Sequence, residues 1–161
     1  HNCVSLLLKI GTKALQFIKG LQAGARVAKG SVTKATARYR AKQVLKELVK
    51  NKLPDNLKKG TWTPSANALK KVPSELGKAA ANKSGIGYRW VGRKGSNGVR
   101  IDKGNPNAKY SHERVDHVRI NVNGKMMSWD GKVLPAGTLK NTPEVHIPLS
   151  EWLEWTAWNI K

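Results

Sequence analysis

A chain of 161 residues, 39% of them hydrophobic, fits one ordinary domain with a modest core, or a compact domain with a helical extension. Its formal net charge is +20, from 30 Lys/Arg against 10 Asp/Glu. A field of that sign draws polyanions, RNA or DNA first, then acidic proteins or an anionic membrane surface. The single cysteine, Cys3, excludes an internal disulfide and any metal centre built on several thiolates.

The longest apolar run, 4–8, is broken by Lys9 and is far too short to span a bilayer; nothing frames it as a signal peptide. The first residue is His rather than Met, so a piece of a longer polypeptide is expected. Composition changes along the chain. Residues 1–60 hold fourteen of the 30 Lys/Arg, two of the ten acids and no Trp; residues 61–161 hold all six Trp. The expected organisation is a basic helical segment over 1–60 and a separate module over 61–161.

In the first segment Leu7, Ile10, Ala14, Phe17, Ile18 and Leu21 recur at helical spacing. Gly20, Gly24 and Gly30 interrupt this pattern. Ser31 is then placed to cap a second helix reaching about Asn51, with Ala37, Ala41, Val44, Leu45 and Leu48 on one face. Two packing helices with solvated lysines account for this pattern, as does a basic amphipathic segment that meets a membrane or a translocation partner. Residues 52–84 are rich in turn formers and read as a connector, with Thr63-Pro64-Ser65 starting a short helix through Leu69.

From Gly85 the period becomes two. Residues 86–91 and 98–102 read as strands joined by the RKGSNG turn, and 115–122 alternates most cleanly. Val118, Ile120 and Val122 then face one way, and His117, Arg119 and Asn121 the other. Asn123-Gly124 and Asp130-Gly131 are hairpin turns flanking KMMSW. Residues 144–147 read as a short strand, and Ser150 as the cap of a last helix on which Trp152, Trp155 and Trp158 serve as core anchors. The fold class is therefore α+β, with N-terminal helices, a small twisted antiparallel sheet and a C-terminal helix.

The densest chemistry lies at 100–120, where Arg100, Lys103, Arg114 and Arg119 accompany two of four histidines, His112 and His117. With His146 they match what metal-independent RNA cleavage requires. One group takes the proton from a ribose 2′-hydroxyl, another protonates the departing 5′-oxygen, and cations stabilise the charge on phosphate. Histidine suits the first two tasks and arginine the third. Arg100, His117 and Arg119 fall on polar strand faces, which suggests convergence on one phosphate; solvated residues on a half-exposed sheet are the plain alternative. KGNPNAKY (103–110) reads either as a surface turn or as a loop whose exposed amides contact phosphate.

Other chemistries fit less well. His112, His117 and Asp116 offer a zinc set without thiolate support. Asp116 with Asp130-Gly131-Lys132 would suit a metal-dependent DNase, although Asp-Gly is an ordinary hairpin turn. No phosphate-binding loop, nucleophile elbow or dinucleotide fingerprint occurs. A non-catalytic nucleic-acid-binding module is supported by the same charge and by the three C-terminal Trp, should they be exposed to stack bases. No metal and no cofactor is expected.

The ordered series GIGYRWVGRKGSNGVRIDKGNPNAKYSHERVDHVRINVNGK, WDGKVL and EVHIPLSEW, over residues 85–152, resembles the C-terminal toxin domains of bacterial polymorphic toxins. These domains ride on contact-dependent inhibition proteins, Rhs proteins and related carriers. The resemblance implies a ribonuclease fold of the broad barnase, EndoU, colicin and RelE type, with tRNA or another structured RNA as substrate. It also implies an acidic immunity protein, delivery as part of a larger secreted or surface protein, and action in the target-cell cytoplasm. Position by position it points to Arg100, Lys103, Asn105, Asn107, Asp116, Arg119 and His146. His112 and His117 stand where the group often has serine and tyrosine or glutamine. The expected catalytic set is Arg100, His117, His146, Lys103 and Arg119. Asn105, Asn107, His112, Asp116, Arg93 and Lys94 are expected to bind substrate. A monomer without stable membrane association is expected, and residues 1–60 would resemble the uptake segment of such toxins by position alone.

Overall fold

The computed structural model describes residues 33–161; the helical pattern at 4–21, the Gly-punctuated stretch that follows it and the Ser31 cap lie outside the described residues. Helix α1 spans Lys34–Lys52. Thr33 starts it: its backbone is extended, and its hydroxyl accepts from the Thr36 amide at 3.1 Å, partnering one of the first-turn donors. Leu53 precedes Pro54, whose ring disfavours a helical neighbour, and the helix ends there with Leu53 extended. Helix α2, Ala66–Lys71, is capped by the Ser65 hydroxyl, which accepts from the Ala68 amide at 3.3 Å.

Residues 52–84 are not merely a connector. Leu53, Ala68, Leu69 and Val72 are buried and belong to the core with Leu76 and Ala79. Their apolar groups sit on short pieces of chain, so no period of 3.6 or 2 betrayed them. The compositional step at 60/61 is likewise crossed by the core. Leu53 is in the same cluster as Trp90, and the Trp90 indole donates to the Lys52 carbonyl at 2.8 Å.

Six strands form one antiparallel sheet: β1 Ala80–Ala81, β2 Gly87–Val91, β3 Gly98–Asp102, β4 His117–Val122, β5 Lys125–Met126 and β6 Ile147–Pro148. The order is β1-β2-β3-β4-β5, with β6 also on β4. The β4–β5 turn is the expected Asn123-Gly124, with φ of 51° and 79°, the pair of positive angles a two-residue hairpin demands. At 143–146 the chain departs from expectation. Pro143–Val145 forms a 3-10 turn, and only Ile147–Pro148 pairs with β4. Pro143 has no amide proton for a ladder and favours the start of a helical turn, which explains the change.

Register fixes two faces. Tyr88, Ile101, Val118 and Ile147 are aligned across four strands, as are Trp90, Val99 and Ile120 across three. These rows pack against α1, α2 and the last helix, α3, Leu149–Leu153. Ser150 does not cap α3; Pro148 stands at the cap position and Ser150 lies inside the first turn. Trp152 and Trp155 are buried and Trp158 is half-buried against the same core, so none of the three presents an open ring for base stacking. The opposite face carries the rows Arg89–Arg100–Arg119 and Gly87–Asp102–His117. The architecture is thus α+β, with the apolar rows of β2, β3 and β4 on one face and the arginine and Asp102–His117 rows on the other.

Candidate active site

The polar face of β3 and β4 opens into a cavity of about 360 Å³, walled by Arg100, Asp102, Lys103, Asn105, His117, Arg119 and His146, with Glu113, Lys140 and Asn141 closing its side. The alternation of β4 delivers His117 and Arg119 to it, two residues apart on one face. His146 arrives from the other side, at the exit of the Pro143–Val145 turn and just before β6 pairs beside His117.

Both inner histidines are oriented by main-chain carbonyls. Nδ1 of His146 donates to the Thr142 carbonyl at 2.7 Å, and Nδ1 of His117 donates to the Val115 carbonyl at 2.8 Å. A carbonyl only accepts, so each Nδ1 holds a proton and each Nε2 is left for other partners. The two rings lie 4.9 Å apart between centroids, and His112 lies 4.4 Å beyond His146. Tyr110 stacks on His112 at 5.4 Å. Burial is the main force on His146, and the charges of His117, His112 and Arg119 add to it. Together they push its pKa down to about 4, against the opposing hydrogen bond to Thr142. At neutral pH His146 is therefore an uncharged ring with its Nε2 lone pair available.

Cations meet here without enough anions. Arg100 and Arg119 are directly opposite each other across β3 and β4, a pairing of like charges that costs stability unless an anion intervenes. Asp102 and Glu113 are the nearby carboxylates, and Asp102 is engaged three ways. Arg100 donates to it at 2.7 and 3.2 Å, Asn82 donates at 2.8 Å, and Nε2 of His117 stands 3.7 Å away. Arg119 receives no such partner. Its Nε is buried with no hydrogen-bond acceptor, and burial, then the Arg100 charge, pulls its pKa below the ordinary range. A buried guanidinium N–H without an acceptor costs free energy, on the order of 1–3 kcal/mol or more. Gly87 makes the arrangement possible: a Cβ there would lie 2.8 Å from Asp102 Oδ1 and 2.4 Å from the Ile101 carbonyl oxygen.

The structure brings together Arg100, Lys103, Asn105, His112, His117, Arg119 and His146 of the expected set. Of the two readings of the 103–110 loop, the bonding favours the surface turn. The amides of Lys103, Gly104, Asn105, Asn107 and Ala108 are already bonded, to Ile86 O, Asp116 Oδ1, Glu113 O, Asn105 Oδ1 and Asn105 O. Pro106 has none, so this loop has no exposed amide row from 103 to 108 for phosphate. Asp116 and Asn107 therefore brace the loop rather than line the cavity, with Asp116 also accepting from Leu149 through its carbonyl. Arg114 braces it too, donating to the Ala108 and Lys109 carbonyls. Arg93 and Lys94 sit in the turn at the far end of the β2–β3 hairpin and do not join the cavity residues.

Asp102, Asn82, Glu113 and Lys140 were not singled out from sequence. Asp102 had a readable signal, since it shares the polar face of its strand with Arg100. Glu113 and Lys140 reach the cavity, and Asn82 reaches Asp102, from loops whose course no local pattern sets. The two carboxylates of the DNase alternative are each committed to a turn. Asp130 accepts from the Ser128 hydroxyl and from the Lys132 amide at 3.2 Å, and the Ser128 bond first of all holds its pKa low. Neither Asp116 nor Asp130 belongs to a cluster of three potential metal ligands among the described residues. No family model matches this chain, and comparison with curated proteins and with solved structures yields no match.

Proposed function

We propose that the cavity is the active site of a metal-independent endoribonuclease, with tRNA or another structured RNA as substrate. The observation that carries this reading is the meeting of two carbonyl-oriented imidazoles with a like-charged arginine pair whose inner member has an unpartnered buried N–H. A phosphodiester supplies the missing anion. Its non-bridging oxygens take the fork of Arg119 and the charge of Arg100 and Lys103, which strengthen as the pentacovalent phosphorus accumulates charge.

Nε2 of His146, unprotonated at neutral pH, takes the proton of the ribose 2′-hydroxyl. The 2′-oxygen attacks phosphorus, the P–O5′ bond breaks, and the 5′-oxygen takes a proton from Nε2 of His117, whose charged form has the Asp102 carboxylate beside it. The products are a 2′,3′-cyclic phosphate and a 5′-hydroxyl. The net charge of +20 draws the RNA to the protein. A place in a secreted or surface-borne antibacterial toxin, acting in the target cytoplasm and held in check by an acidic immunity protein, is supported by the motif series over 85–152.

The test is an RNA oligonucleotide that the chain cleaves, resynthesised with a single 2′-deoxy sugar at the cleaved position. Loss of cleavage at that position, together with cyclic-phosphate ends on the unmodified product, is the expected result. Cleavage through the deoxy position would overturn the mechanism.

A further inference from the structure

We propose that His112, Glu113 and His146 form a zinc-class divalent cation site on the rim of the cavity, and that its filling switches the protein off. One ring nitrogen from each histidine and a Glu113 carboxylate oxygen all lie within 4.8 Å of one another. Ligands about 2 Å from a tetrahedral zinc stand about 3.3 Å apart, so small side-chain rotations close the set. This is a different set from the His112, His117 and Asp116 combination that spacing suggested, because the Pro143–Val145 turn brings His146, not His117, onto His112.

Three features favour a real ligand set over a chance meeting. His146 has its outer ring nitrogen, Nδ1, tied to the Thr142 carbonyl at 2.7 Å, the support that commonly fixes a metal-binding imidazole. His112 and Glu113 share one 3-10 turn, Ser111–Glu113, which the 103–110 loop holds in place through the bond from the Asn105 amide to the Glu113 carbonyl. The Glu113 carboxylate makes no ion pair among the described residues. Two imidazoles and one carboxylate select zinc, copper or nickel over magnesium or calcium, which prefer all-oxygen shells. A fourth position is left to water.

The consequence for activity rests on the ribonuclease reading. The metal would hold Nε2 of His146, the atom that takes the 2′-hydroxyl proton, so a filled site cannot cleave.

Titration of zinc into the 161-residue Cys3→Ser chain by calorimetry tests the site without reference to activity; this background removes the thiol as a competing ligand. One equivalent should bind, and His112→Ala and Glu113→Gln should each weaken it at least tenfold. No binding, or binding that both variants leave unchanged, would overturn the site. Cleavage is then followed on the same samples. Activity lost as zinc fills the site and restored by EDTA is expected; activity that persists at saturation overturns the switch. A chain that cleaves no RNA even in EDTA refutes the ribonuclease reading and the switch that rests on it, while the calorimetry still decides the site.

Discussion

Replacing His146 with Asn should remove a defined part of the protein's acid sensitivity. Burial and the neighbouring His117, His112 and Arg119 hold the ring neutral in the folded state, with its pKa near 4 against an ordinary 6.5. The lowered value means that the unfolded chain takes up the proton first. Stability from this group is therefore complete above about pH 6.5 and is lost as pH falls towards 4. Between pH 7.5 and 4.5 that shift corresponds to about 2.5 kcal/mol, at about 1.4 kcal/mol per unit. Because the ring borders an open cavity, solvent screening reduces this to about 1–2 kcal/mol. Asparagine keeps a donor for the Thr142 carbonyl but does not titrate. Urea unfolding of wild type and variant at both pH values isolates the effect, since all other groups titrate in both proteins. Wild type should lose about 1–2 kcal/mol more than the variant over the interval. Equal losses would refute the placement of His146 as a desolvated ring among cations.

Two further outcomes follow from the same geometry. If the base is His146 with a pKa near 4, the acid limb of kcat/KM for RNA cleavage should lie below about pH 5, and a pH–rate profile falling already at 6.5 would reassign the base. Gly87→Ala should cost about 1–3 kcal/mol in urea unfolding and lower cleavage as well, because its Cβ would press on the Ile101 carbonyl and on Asp102.

Much of the fold was legible because strand alternation is a local property. The period-two pattern over 115–122 placed His117 and Arg119 on one face and Val118 and Ile120 on the other, as the register has it. The Asn-Gly turn was legible for the same reason. The last helix, by contrast, was read as too long: it ends at Leu153, so of the three tryptophans only Trp152 lies on it. Trp155 and Trp158 reach the core from the turns that follow. The connector 52–84 was misread because its buried residues are scattered over pieces too short to show a period. The strand at 144–147 was misread because Pro143 outweighs the β-branched residues after it. Within the site, residues on strands could be assigned to a face, whereas the joining of His112 to His146, and of Glu113 to both, depends on a loop crossing. The KGNPNAKY amides illustrate the same limit: turn residues are readable, but their bonding partners 113 and 116 come from a later turn.

The central claim is that two imidazoles and an arginine pair cleave RNA without a metal. The direct measurement is incubation of total cellular RNA and of plasmid DNA with the purified 161-residue chain in EDTA, beside His146→Ala and Arg100→Ala. Wild type should release discrete RNA fragments and leave DNA intact. Both variants should lose cleavage, with His146→Ala down by about 10²–10⁴-fold and circular dichroism unchanged. Cleavage that needs magnesium, or that survives in both correctly folded variants, would contradict the account.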